Sequence, residues 1–123
     1  MKTILIIDDS QADQFLATQY ITKLKENYNI VQAYDGEHAL EYIENLNDSL
    51  ALIAMDLRMS IMDGFELLEK FAEMQVTSPV AVFTVSEDAR DYEKAVEAGH
   101  IDYYFRKPIN EEKLKQCLHG VGD

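Results

Sequence analysis

The sequence predicts an α/β domain, a parallel β-sheet with helices on both faces. Three observations carry that prediction. Five short apolar runs occur at residues 4–7, 29–34, 50–55, 80–84 and 102–105. The first, third and fourth are apolar almost throughout, as strands covered on both faces require, whereas a strand with one wet face alternates. Stretches with helical spacing separate them, so that five strand–helix units follow in strict alternation. Right-handed crossovers then bring the strands into one sheet.

The elements follow in order. The first run is Ile4, Leu5, Ile6 and Ile7, and Ser10 behind it is a helix cap. Leu16, Tyr20, Ile21, Leu24 and Tyr28 form the stripe of the first helix. After the second run, Asp35-Gly36 turns the chain into a helix whose stripe is Leu40, Ile43 and Leu46. Gly64 precedes a third helix built on Leu67, Leu68 and Phe71. The fourth has a weaker stripe, Ala95 and Val96, and ends at Gly99. Asn110 followed by two glutamates opens the last helix, with Leu114, Cys117, Leu118 and Val121 on one side.

Composition narrows the function classes. The chain has 123 residues, which suits one domain, and 47% of them are hydrophobic, enough for a real core. Acidic residues number 23 and basic residues 11, for a net charge of −12. That balance argues against nucleic-acid or anionic-membrane binding, which need basic surface. A single cysteine, Cys117, excludes an internal disulfide framework and a multi-cysteine zinc site, and its place in the last stripe marks it as core. The opening apolar run is too short for a signal-peptide core and nothing later approaches a membrane span, so the expected location is the cytoplasm.

In a sheet of this kind, ligands bind beyond the carboxyl ends of the strands. The polar residues at those ends are specific. Asp8 and Asp9 follow the first strand, Asp56 the third, Thr84 ends the fourth, and Lys107 follows the fifth. Three carboxylates brought together repel and raise their pKa values unless a cation neutralises them. Mg2+ suits such a set, since it takes oxygen ligands from one or two carboxylates, waters and phosphate. A carboxylate beside it is a nucleophile for phosphorus, with the lysine and a threonine hydroxyl on the phosphoryl oxygens. An Asp-Asp pair alone is more often a cap or turn. The third carboxylate and the lysine at matching strand ends tip the balance toward a phosphoryl-acceptor site.

These residues sit in ILIIDDS (4–10), IAMDLRMSIMDG (53–64), VAVFTVS (80–86) and AGHIDYYFRKPI (98–109), and their order and spacing resemble the receiver domain of two-component response regulators. The resemblance implies a flavodoxin-like, doubly wound sheet of five parallel strands in the order 2-1-3-4-5, flanked by five helices. It implies that Asp56 is the phosphoacceptor, charged from a phosphohistidine on a sensor histidine kinase or a histidine phosphotransfer protein. Asp9 is then the direct Mg2+ ligand, Asp8 assists through water, and the Arg58 main-chain carbonyl completes the protein's share of the shell. Lys107 and Thr84 contact the phosphoryl group, and Tyr104 is the aromatic switch that follows the threonine. The family's output surface is the fourth helix, fifth strand and fifth helix, where dimerisation or a separate downstream effector protein is expected. The motifs and last helix use residues 1–123 as one receiver domain, so no DNA-binding or enzymatic domain is expected within it.

Two departures from the family pattern stand out. Ser60 replaces a usual proline and is expected to free the loop after Asp56, since it neither fixes φ nor removes an N–H. Val85 replaces a usual small residue and is expected to narrow access to the site. Competing functions fit less well. An aspartate-nucleophile phosphatase needs a second carboxylate beside the nucleophile, and Arg58 stands two residues after Asp56. A flavin-binding domain needs a hydroxyl- and glycine-rich loop after the first strand, where this chain has Asp8-Asp9-Ser10-Gln11. Nucleotide-binding glycine loops are absent. A pseudo-receiver, a protein-binding module without phosphorylation, is the alternative, but it usually lacks one of the key residues and none is missing. His38, His100 and His119 show no ligand spacing.

Overall fold

The computed structural model describes residues 2–46 and 50–119, together with all their side chains except those of Leu46 and His119. Five strands are β1 (Lys2–Ile7), β2 (Tyr28–Ala33), β3 (Leu50–Met55), β4 (Val80–Thr84) and β5 (Tyr103–Arg106). They alternate with helices α1 (Gln11–Thr22), α2 (Gly36–Leu46), α3 (Gly64–Glu73), α4 (Ala89–Ala98) and α5 (Glu111–His119). All strand pairs are parallel, in the order β2-β1-β3-β4-β5 expected from the resemblance.

The continuous apolarity of the central strands is explained by two cores. Leu5, Ile7, Ile53, Met55, Val80 and Val82 point to one face and pack with Ala39, Ile43, Phe65, Leu67, Leu68, Phe71 and Ala95 from α2, α3 and α4. Their neighbours Ile4, Ile6, Leu52, Ala54, Ala81 and Phe83 point to the other face and meet Ala17, Ile21, Leu114 and Cys117 from α1 and α5. Successive side chains of a strand alternate between faces, so a strand serving two cores must be apolar at every position. Cys117 is core, as expected, and burial pushes its thiol pKa up to about 12.

Ser10, Asp35 and Asn110 start helices as the sequence predicts, and Asp63 and Asp88 cap α3 and α4 in addition. Ser10 accepts from the Asp13 N–H, Asp35 from His38, Asp63 from Glu66, Asp88 from Arg90 and Asn110 from Lys113. Gly99 ends α4.

The first helix differs from its predicted stripe. Its buried residues are Gln14, Ala17 and Ile21, while Leu16 is 38% exposed, and Tyr28 belongs to β2. The inward face of α1 carries a polar residue, Gln14, whose Oε1 is buried with no hydrogen-bond partner among the described residues. The buried Gln14 amide donates to the carbonyls of Ile6, Asp8 and Ala33, tying α1 to the ends of β1 and β2. In α4, Ala95 is buried but Val96 is 47% exposed. The side chain of Leu46, that of His119, and Val121 lie outside the described residues. His38 is exposed and packs on Tyr42, and exposed His100 bonds Asp102 at 2.9 Å.

Candidate functional site

Sheet register builds the site. β1 and β3 align Ile7 with Met55, so the next residues, Asp8 and Asp56, leave the sheet side by side. Main-chain bonds continue that register by one residue: Asp56 N–H donates to Ile7 O at 3.0 Å, and Asp8 N–H to Ala33 O at 3.0 Å. β4 and β5 align Thr84 with Arg106, and the Lys107 N–H donates to Thr84 O at 2.8 Å. The Lys107–Pro108 peptide is cis.

Asp8, Asp9 and Asp56 each offer a carboxylate oxygen, and the three oxygens lie within 4.8 Å of one another. Asp8 and Asp56 are buried and Asp9 is exposed. The Lys107 ammonium donates to Asp8 Oδ2 at 2.8 Å, to Asp13 Oδ2 at 2.6 Å and to Asp56 Oδ2 at 3.2 Å. An ammonium has three N–H donors, so all are engaged. Main-chain N–H groups take further carboxylate oxygens: Ser10 donates to Asp8 Oδ1 at 2.9 Å and Arg58 to Asp56 Oδ1 at 3.4 Å.

Electrostatics follow from this packing. Burial raises the Asp8 pKa above the ordinary value, against the lowering pull of Lys107 and the Ser10 N–H. Repulsion from Asp56 is the smallest contribution, so at Asp8 dehydration outweighs the mutual repulsion expected from the sequence. For Lys107, burial lowers the pKa. Its bonds to Asp13 and Asp8 and the charge of Asp56 more than reverse this, so the amine stays protonated throughout the physiological range. With every carboxyl ionised, four carboxylates against one ammonium leave three negative charges uncompensated. The all-oxygen, anionic set of Asp8, Asp9 and Asp56 fits a hard divalent cation.

In the loop after Asp56, the main-chain N–H that Ser60 keeps has a partner across the site. The Ser60 N–H, the group a proline would lack, donates to Asp9 Oδ2 at 3.2 Å. Behind the loop, the Gly64 N–H donates to Leu57 O at 2.7 Å. Val85 is 69% exposed at the surface. Arg58 turns its guanidinium away from Asp56 to both oxygens of Asp91 on α4, at 2.9 and 3.0 Å.

Thr84 is fully buried, and its hydroxyl oxygen accepts from the Ser86 N–H at 3.1 Å. Tyr104 on β5 is half-buried, edge-on to Tyr92 of α4 with ring centroids 5.0 Å apart. Its hydroxyl is buried and has no hydrogen-bond partner among the described residues.

Sequence reasoning missed Asp13, Gln14 and Asp91. Each had a faint signal. Asp13 is the acidic residue in the first turn of a helix capped by Ser10, directly after the Asp8-Asp9 pair. Gln14 interrupts an apolar helix face, and Asp91 is an acid on the inward side of α4.

Comparison with known proteins agrees with the geometry. The response regulator receiver domain model matches residues 4–119. The nitrate/nitrite response regulator protein NarL of Escherichia coli (strain K12) is 33% identical over 117 residues, which make up 95% of this chain and 53% of NarL. The chain thus spans about half the length of that relative. A two component response regulator from Cytophaga hutchinsonii superposes with a TM-score of 0.85 at 27% identity, covering 98% of this chain and 96% of that one. The Mn(2+)-bound form of response regulator Rcp1 gives 0.76 at 25% identity, covering 98% and 91%. The chain belongs to the response regulator receiver domain family, the phosphoacceptor signalling modules of two-component systems.

Proposed function

We propose that Asp56 accepts a phosphoryl group from a phosphohistidine on a sensor histidine kinase or a histidine phosphotransfer protein. The observation that carries this reading is the convergence of Asp8, Asp9 and Asp56 within 4.8 Å, with the Lys107 ammonium bonded to Asp8 and Asp56. One Asp56 carboxylate oxygen forms a bond to phosphorus as the phosphorus–nitrogen bond of the donor breaks, and the departing imidazole keeps the electron pair. Asp56 needs no general base, because it is used as the carboxylate. Lys107 moves an N–H from the Asp56 oxygen to the incoming phosphoryl oxygen, and the Thr84 hydroxyl donates to another.

Asp8, Asp9, Asp56 and the Arg58 main-chain carbonyl would hold Mg2+, which supplies positive charge against the phosphoryl oxygens. The oxygen-only donor set and the Mn(2+)-bound relative Rcp1 support that assignment. Tyr104 is the switch residue in this reading, supported by its buried hydroxyl, which has no hydrogen-bond partner among the described residues. Phosphorylation then shifts the α4–β5–α5 face toward a dimer or a separate effector protein. The chain is a switch that receives and loses a phosphoryl group, not a dedicated enzyme.

Incubation with a small acyl phosphate in Mg2+ tests the reading by intact mass. The expected result is one phosphoryl group per chain, abolished by chelation. No adduct under conditions that phosphorylate a control receiver would leave the protein-binding module without phosphorylation.

A further inference from the structure

Asp13 has no role in the phosphoryl transfer or the metal shell proposed above, yet it makes the shortest of the three hydrogen bonds to Lys107. Its Oδ2 lies 2.6 Å from Nζ, against 2.8 Å for Asp8 and 3.2 Å for Asp56. Sharing one nitrogen at 2.6 and 3.2 Å, the Asp13 and Asp56 oxygens lie within about 6 Å of each other. Asp13 is held where it is by the helix itself, because its main-chain N–H is capped by Ser10. Its side chain is more open to water than those of Asp8, Asp56 and Lys107.

We infer that Asp13 is a positioning residue that draws Lys107 toward α1 and slows phosphoryl transfer to Asp56. The inference rests on the phosphoacceptor reading and deepens it. Two physical effects act in the same direction. Transfer requires Lys107 to turn an N–H to a phosphoryl oxygen, and a charge-assisted bond to Asp13 restrains that reorientation. Asp13 also places a fixed negative charge beside the point where an anionic phosphoryl group must arrive. Asp8 cannot be separated from metal binding, whereas Asp13 lies outside the acidic triplet, so it adjusts the rate and leaves the ligand set whole.

The test compares Asp13→Asn, which keeps shape and loses charge, with Asp13→Glu, which keeps charge. Phosphorylation by an acyl phosphate in Mg2+ is followed by intact mass. The Asn variant is expected to react about five-fold faster than wild type, a modest factor because Asp13 is partly solvated. The Glu variant is expected to stay within about twofold of wild type. An anchor needed merely for structure gives the opposite result, a slower Asn variant, and a slower or unchanged rate overturns the inference. A second readout does not depend on phosphorylation. In 15N spectra of the unphosphorylated protein, the Lys107 ammonium protons should exchange with water about tenfold faster in the Asn variant. Unchanged exchange also overturns it. If the wild type takes no phosphoryl group, the phosphoacceptor reading falls, and the exchange measurement still decides whether Asp13 holds Lys107.

Discussion

Replacing Gly64 by alanine tests how tightly the loop after the candidate phosphoacceptor is packed. A Cβ at position 64 would lie 2.6 Å from Leu57 Cα and 2.7 Å from the Asp56 carbonyl oxygen. Both are backbone atoms, so no side-chain rotation relieves the contact, and the gap must open by nearly an ångström. Overpacking of this kind costs about 1–3 kcal/mol, and two rigid neighbours put this case at about 3. Alanine's better helix propensity offsets at most about 1 kcal/mol, and less at the first residue of α3. The net loss is therefore about 2 kcal/mol. Using about 2.1 cal/mol/K of unfolding entropy per residue, a domain of 123 residues loses about 8 °C in Tm. Thermal and urea unfolding of the two proteins measure this directly. A Gly64→Ala protein melting within about 2 °C of wild type would refute the packing argument. The same displacement moves Asp56, so phosphorylation should fall with stability.

Two further predictions concern polar groups around α4. Tyr104→Phe deletes a buried hydroxyl without a partner among the described residues, so Tm should hold or rise, by at most about 1 kcal/mol of stability; a clear loss in calorimetry would show that the hydroxyl is satisfied. Asp91→Asn removes a carboxylate held below the usual range by the Ser86 side chain and by Arg58, with burial opposing them. A depressed folded pKa adds stability that is fully present above the unfolded value of 3.8 and is lost as pH falls through the folded pKa. Because Arg58 is largely exposed, the wild type should lead by about 0.5–1 kcal/mol at pH 7, and the gap should close below pH 3.8. A gap that persists in acid would mean that the carboxylate charge is not its source.

Much of the fold was legible because its signals are local and mutually consistent. Strands serving two cores read as unbroken apolar runs, and Ser10, Asp35 and Asn110 mark helix starts by their own side-chain chemistry. The strand-end rule then placed Asp8, Asp56, Thr84 and Lys107 at one edge of the sheet, where register brings them together. What failed was tertiary in origin. Leu16 fits an apolar stripe by spacing, but the inward position on α1 is taken by Gln14, whose amide nitrogen lies within hydrogen-bond distance of three carbonyls at the ends of β1 and β2. Asp13 and the Arg58–Asp91 pair depend on which side chains meet across elements, which spacing along the chain does not encode. The Ser60 N–H was recognised as a free donor, but its partner, Asp9, lies 51 residues away.

Whether Asp56 itself takes the phosphoryl group is decided by a mass measurement on wild type and Asp56→Asn side by side. Both proteins are incubated with an acyl phosphate and Mg2+. A single phosphoryl adduct is expected on the wild type and none on Asp56→Asn, which keeps the shape of the side chain and loses its nucleophilic charge. An equal adduct on both proteins would place the chemistry on another residue, and none on either would remove the phosphoacceptor role from this chain.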